Sequence, residues 1–307
     1  MNKKVAIILI NWNSFGFTYD CITSIRQIVY LYYDIIVVDN GSTDQSDEKL
    51  KSHFKNSIIL IQSNKNVGFT GGNNIGMRYA IDHKYEYCLL LNNDTFVDKT
   101  FLGPLVAYME QYPLTGVLQP RIHFNHDRSL LWNGGSFFNK ILGVTYTKNY
   151  GQSFHQQMNI IKKVDWVSGC AFFVRTSTLQ QCGLFAENMF IYYEDVDLSF
   201  RIKNAGYSLV YFPQSVIYHI AGMANKNRTK GKEGFVNAIV HYLNVRNRIW
   251  FLKQYTSTRY LPTVVLFNFC YLTALIGYFA ARFRFIKLKI VLKALKDGLK
   301  GHIIYNN

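Results

Sequence analysis

Over the first 120 residues, short apolar runs alternate with stretches of helical pattern, and polar clusters follow several of the runs. Val5–Ile10, Ile35–Asp39, Ile58–Ile61 and Tyr87–Leu91 are rich in Ile, Val and Leu, the pattern of strands buried on both faces. Between them, Phe17–Ile28, Gln45–His53 and Asn73–His83 read as helices. This β-α-β alternation dictates an α/β fold, with a mostly parallel sheet flanked by helices. Such sheets bind ligands at the carboxyl ends of their strands. Asn11-Trp12-Asn13, Asp39-Asn40-Gly41-Ser42 and Asn92-Asn93-Asp94 fall at those ends.

Four segments carry chemical potential. In Val37–Ser46 a strand delivers Asp39 to a Gly-Ser turn, and a helix begins near Asp44. The acid either accepts hydrogen bonds from a base or ribose, or simply closes an Asx-turn and cap. Asn64–Gly76 holds four Gly and four Asn just before a helix. That composition permits close backbone approach and an anion at the helix start, and it is neither GxGxxG nor a Walker loop. In Leu89–Thr95 an apolar strand presents Asp94, a carboxylate able to share Mg²⁺ or Mn²⁺ with phosphates or to start a turn. In Phe190–Gly206, Glu194, Asp195 and Asp197 crowd a helix N-terminus behind Phe190, Tyr192 and Tyr193. The macrodipole stabilises acids there, and apolar walls raise their pKa values toward those of a general base.

Further along, Val164–Arg175 reads as a strand region, Glu194–Asn204 as a helix stopped by Ala205-Gly206, and Tyr207–Phe212 and Ser215–His219 as strands around Pro213. The net charge of +15 is unevenly spread. Residues 1–220 hold 19 basic and 17 acidic side chains, whereas residues 221–307 hold 15 and 2. We therefore place a boundary near 221, at the basic, loop-like Gly222-to-Gly234 stretch, giving parts 1–220 and 221–307. Five cysteines with no CxxC spacing argue against a disulfide framework or zinc site and for a reducing compartment. The apolar run at the N-terminus is short for a signal peptide and reads as a strand.

Taken together, VDNGSTD, NxGFxxGNNxG, LNND, WVSGC and YEDVDLSFRIKNAG resemble the family 2 glycosyltransferases of GT-A type, especially the bacterial rhamnosyltransferase-like members. The resemblance covers roughly residues 4–250. It implies that Asp39 contacts the donor base, with Asn11 and Asp44 nearby. It places Asn40, Asn66, Gly68, Gly72, Asn73, Asn92, Asn93 and Gly169 around a nucleotide-diphosphate sugar. Asp94 resembles the last acid of the family's DxD motif, whose first acid is here Asn92, and His219 a late metal ligand; the implied cofactor is Mg²⁺ or Mn²⁺. Asp195 matches the catalytic base, with Glu194 its neighbour, and Trp166 and Asp197 fall on the acceptor side. The resemblance implies an inverting transfer from dTDP-rhamnose or a UDP-hexose to a glycan or lipid-linked glycan acceptor. The absence of QxxRW speaks against a processive synthase. The rival reading is a catalytically silent nucleotide-sugar-binding scaffold.

Tyr260 to Ala281 carries no charge, and Lys289, Lys293, Lys296 and Lys300 recur on one helix face opposite Leu288, Val291, Leu292, Leu295 and Leu299. This pattern suits a basic amphipathic helix lying on an anionic membrane surface. A membrane span, or a soluble helical pair packed on the catalytic domain or on a second subunit of a homo-oligomer, are the other uses. We expect peripheral attachment at the cytoplasmic face of the cell membrane. A nucleic-acid partner is not expected, since no nucleic-acid motif accompanies the charge.

Overall fold

A computed structural model of the chain describes residues 3–221, 233 and 235–305. Apart from residue 233, the stretch from Gly222 to Gly234 on which the charge boundary rests lies outside them. The N-terminal part runs β1 (Val5–Asn11), α1 (Phe15–Ile25), β2 (Tyr33–Asp39), α2 (Ser46–Phe54), β3 (Ile59–Gln62), α3 (Gly68–Asp82), β4 (Tyr87–Leu91), β5 (Thr95–Val97) and α4 (Leu102–Gln111). There follow β6 (Thr115–Phe124), β7 (Leu131–Asn133), β8 (Ser136–Asn139), β9 (Val144–Thr147), β10 (Lys162–Lys163), β11 (Ala171–Arg175), α5 (Thr176–Cys182), α6 (Glu194–Asn204) and β12 (Ser208–His219). The C-terminal part is helical: α7 (Ala238–Tyr255), α8 (Leu261–Ala281) and α9 (Phe285–Lys300).

One sheet, ordered β10-β12-β6-β11-β4-β1-β2-β3, organises the domain. The β4-β1-β2-β3 half is parallel, as the continuous apolar runs require, and β11 enters antiparallel between β4 and β6. Helices cover both faces, over two cores centred on Ile7, Val37 and Leu89 and on Ile8, Val38 and Leu90. Alternate residues of the same strands feed opposite cores, the direct consequence of the two-residue pleat.

Three local expectations change. Helix α3 begins at Gly68 rather than Asn73, so the Gly- and Asn-rich stretch forms its first turns. The two strands expected around Pro213 are one strand with a register shift between Phe212 and Val216, where proline cannot donate to the ladder. The strand region at Val164–Arg175 narrows to Ala171–Arg175, and Val167–Cys170 form the connection that leads into it.

The C-terminal helices pack on the sheet domain. Phe251 of α7 is fully buried, edge-on to Phe138 of β8 and to Phe200 of α6, with ring centroids 5.6 and 4.9 Å away. Removing that ring should cost about 3–5 kcal/mol. In urea titration, Phe251→Ala should lower stability by that amount while the chain still unfolds in a single transition. A separate early transition would show that α7 folds apart from the sheet.

Candidate active site

The strand ends converge as the topology demands. Parallel pairing sets Asn11 beside Asp39. Strand β12 runs antiparallel to β5, with His219 opposite Thr95, and this brings His219 to Asp94, Nε2 to Oδ1 3.1 Å. Beside them lies a cavity of about 430 Å³. Asn92, Asn93 and Asp94 line it from the end of β4, Trp12 from the end of β1, and Asn40 and Asn66 from the loops around β2 and β3. Phe190 and Tyr192 close one side, and Ile239, Val240 and Leu243 of α7 close another.

Asp39 has its Oδ2 engaged by Asn11 Nδ2 at 2.7 Å and Ser42 Oγ at 2.6 Å, and its Oδ1 by the Ser42 N–H at 2.9 Å. The Asx-turn therefore forms, and the carboxylate keeps capacity to accept one more N–H. Asn40 donates to Gly68 O at 3.0 Å and accepts from Val67 N, tying β2 to the start of α3. Asn66 accepts from the Gly68 N–H at 2.8 Å. Gly68 takes φ +79°, and a Cβ there would fall 2.5 Å from the Phe190 carbonyl oxygen, so only glycine lets the Phe190 backbone sit over this helix start. Asn93 donates to Thr18 Oγ1 at 2.8 Å, and Asn92 lies 3.5 Å from His219 Nε2.

At the other side, the Gly169 N–H donates to Asp195 Oδ2 at 2.8 Å, and Val196 N–H donates to Oδ1. A Cβ on Gly169 would press on Phe69, which lines the cavity, at 3.1 Å and lie 3.6 Å from Asp195 Cβ. Burial pushes the Asp195 carboxyl up to about 6, against the two N–H bonds that favour its charge. Glu194 is buried with Oε2 unpartnered. Burial, then the neighbouring Asp195, raises its carboxyl well above the ordinary range. For His219, burial opposes the imidazolium, but Cys170 and Asp94 beside it outweigh this and lift it to about 10.

Several of the expected residues lie outside the cavity lining and have partners within the protein. Asn11 is fully buried and spent on Thr18, Asp39 and Ser42, so it orients Asp39 rather than meeting a ligand. Asp44 bonds the Ser46 N–H at 3.0 Å and secures the start of α2, away from the cavity. Gly72 packs under Ile10, and the Asn73 amide donates to Phe69 O within α3. Trp166 lies in the cluster around Phe251, its Nε1 donating to Phe137 O. Asp197 is fully buried, its carboxylate held by Arg201, Tyr255 and Tyr305, which makes it a clamp and not an acceptor ligand.

The most consequential residue that the sequence did not announce is Asn247 of α7. Phe190, Tyr192 and Tyr193 all take positive φ, 67°, 74° and 70°. Fully buried Asn247 donates from Nδ2 to the carbonyls of Met189, Ile191 and Tyr192 at 2.9, 3.0 and 2.8 Å. Arg246 adds a bond to Asn188 O at 2.8 Å. The available signal was an Asn inside a helix, where it is disfavoured unless its side chain is needed elsewhere.

Residues 6–183 match the profile of Glycosyl transferase family 2. The chain is 24% identical to the low-salt glycan biosynthesis hexosyltransferase Agl10 of Haloferax volcanii, over 98% of this chain and 92% of that one. It is 25% identical to an N-acetylglucosaminyl-diphospho-decaprenol L-rhamnosyltransferase of Mycobacterium tuberculosis, over 68% and 71%. Among solved structures, GalNAc-T7 with UDP, GalNAc and Mn²⁺ aligns with a TM-score of 0.58 at 16% identity, over 70% of this chain and 43% of that one. TarS from S. aureus in complex with UDP aligns with 0.53 at 16%, over 90% and 72%. These likenesses show the fold, and it is the GT-A arrangement.

The Asn247 clamp makes a definite demand. Asn247→Leu keeps the volume and removes the two N–H groups shared among the Met189, Ile191 and Tyr192 carbonyls, leaving Met189 O to Arg246 and the Ile191 N–H, which should cost about 1–3 kcal/mol. Hydrogen–deuterium exchange should quicken at the amides of residues 189–193 while those of β1 and β4 stay protected; unchanged exchange there would show that the clamp holds nothing.

Proposed function

From the premise that the chain belongs to glycosyl transferase family 2, we propose that it is an inverting, metal-dependent, non-processive transferase. It moves a sugar from a nucleotide-diphosphate donor to a hydroxyl of a lipid-linked or surface-polysaccharide acceptor in glycan biosynthesis. The observation that carries this reading is the pairing of Asp195 with the cavity. The carboxylate is tuned toward neutrality by burial and held by the Gly169 N–H, and Gly169 abuts Phe69, which lines the pocket together with the strand ends and Asp94.

The roles follow from geometry. Asp39, with one acceptor position free, suits the N–H of a pyrimidine base, and Trp12, 53% exposed at the cavity, offers a flat face. Asp94 and His219 suit two ligand positions of a divalent ion: the ion would displace the proton that His219 Nε2 shares with Asp94 Oδ1, and phosphate oxygens complete such spheres. No group of three or more ligating side chains occurs among the described residues, which suits an ion held jointly with substrate. Such an ion would neutralise charge growing on the leaving diphosphate. Asp195 takes the proton from the acceptor hydroxyl as that oxygen attacks the anomeric carbon from the face opposite the diphosphate. One such displacement inverts the configuration. Burial and the neighbouring Asp195 push Glu194 toward its neutral form, which limits a second negative charge beside the base.

The solved relatives bound to UDP support a uridine donor, and the mycobacterial relative's name supports an L-rhamnosyl one. That name also supports a lipid-diphosphate acceptor. The sequence's lack of QxxRW supports single additions. Helix α8 is long and apolar enough to cross a membrane and is only 11% buried over its most apolar window. Together with the lysine face of α9, this supports association with an anionic membrane, and we propose that the attachment is peripheral and at the cytoplasmic face.

A panel of nucleotide sugars, read by thermal shift and by nucleotide diphosphate release, tests the activity. One donor should shift melting in Mn²⁺ or Mg²⁺ and release diphosphate slowly, and EDTA should abolish both effects; no response to any donor or bare nucleotide would favour the silent scaffold. Asp195→Asn should keep donor binding and lose roughly 10²–10⁴-fold in transfer. Because the base acts deprotonated, kcat/KM of the wild type should fall as pH drops through about 6 and level off above it. A profile flat across that range would remove Asp195 from the role.

A further inference from the structure

The first turns of α7 have two working faces. Ile239, Val240 and Leu243 line the active cavity, whereas His241, with Val236 from just before the helix, lines a second cavity of about 420 Å³ between α7, α8 and α9. Leu275 and Phe279 of α8 add to its apolar wall, and Arg282, Arg284 and Lys287 gather in the same groove.

These cations are unusually placed. Lys287 is only 2% exposed, with its ammonium 5.9 Å from the Phe279 ring centroid. Among the described residues, no carboxylate forms an ion pair with Arg282, Arg284 or Lys287. The acid nearby, Glu233, accepts from the backbone N–H groups of Ile286 and Lys287 at 3.4 Å and so caps α9. Burial and the neighbouring Lys287 and Arg284 lower the His241 imidazole. Burial and Arg284 lower the Lys287 ammonium, with Glu233 opposing. Like charges crowded against an apolar wall call for an anion attached to a hydrocarbon.

We propose that this groove binds the diphosphate and the first isoprenoid units of the lipid-linked acceptor. Its glycan end reaches around α7 into the active cavity. The inference rests on the lipid-linked acceptor argued above. The shared helix is the reason to favour an acceptor over an ordinary headgroup: the two cavities are separated by about one helix width, ~10 Å. Lys289, Lys293, Lys296 and Lys300 remain along α9 for the bilayer surface.

Farnesyl diphosphate serves as a soluble probe, titrated calorimetrically into the full chain. It should bind the wild type, with farnesol and inorganic diphosphate each at least about tenfold weaker. Exposed Arg282→Gln should weaken it roughly tenfold, as loss of a charge-assisted contact implies. Lys287→Met, which keeps the aliphatic stem, should do the same. Lys293→Gln, off the groove, should leave it unchanged, and all variants should bind nucleotide diphosphate with Mn²⁺ as the wild type does. Equal affinity in wild type and Arg282→Gln/Lys287→Met overturns the groove, as does farnesyl diphosphate binding no better than inorganic diphosphate. Retention on phosphatidylcholine vesicles bearing a polyprenyl diphosphate that Arg282→Gln/Lys287→Met leaves unchanged also overturns it, and an equal loss by that variant on phosphatidylglycerol vesicles overturns it by marking a headgroup patch. Nucleotide binding is read in the same preparations. Its persistence in a chain blind to farnesyl diphosphate fails the groove alone, whereas its absence in the wild type fails the transferase reading.

Discussion

The site depends on four residues, Phe190–Tyr193, three of them held in backbone conformations that bulky side chains avoid. Such conformations cost on the order of 1–3 kcal/mol each and persist only where the surroundings over-determine them. Here the surroundings are explicit. Gly68 removes the Cβ that would collide with the Phe190 carbonyl, Thr70 N–H donates to that carbonyl at 3.1 Å, and the two N–H groups of Asn247 are shared among three more carbonyls. The segment places Phe190 and Tyr192 at the cavity and ends where α6 begins, so the direction in which Glu194 and Asp195 leave the backbone is set by this strain. An Asx-turn or a helix dipole alone would not fix it.

The parallel half of the sheet was legible because a strand buried on both faces leaves a continuous apolar run, and β1, β2 and β4 each left one. Their polar ends were legible for the same reason, since nothing else in those runs is polar. What pattern could not supply was which polar end residue faces the cavity. Asn11 and Asp39 share a register position, and the shorter route for Asn11 is to its neighbour, so it became support. The helical start at Gly68 was hidden because glycine and asparagine signal loops, whereas here close packing of Gly72 beneath Ile10 favours helix despite weak propensity.

The C-terminal part shows why charge is a poor guide to packing. The shift at residue 221 is real in composition, yet α7 beyond it supplies a wall of the cavity, the clamp on the strained segment and the Phe251 core. Its few buried polar residues carry the information that net charge obscures. Partners of Asn247 lie more than 50 residues away in sequence and are backbone carbonyls. No side-chain pattern records them.

Three acids at the start of α6 looked alike in sequence and have three different fates. A helix turns about 100° per residue, so Asp195 and Asp197 emerge on nearly opposite faces. Asp195 points to Gly169 and meets only two backbone N–H donors, which leaves its basicity available. Asp197 points away, to a guanidinium and two phenols, one from α7 and one from the segment after α9, and so fastens the C-terminal helices to the helix that carries the base. Glu194, with a buried and unpartnered oxygen, is pushed toward its neutral form. Of the three, Asp195 is the carboxylate left free to take a proton, beside Gly169 and the cavity-lining Phe69, because Glu194 is pushed toward its neutral form and Asp197 is consumed in holding the helix in place.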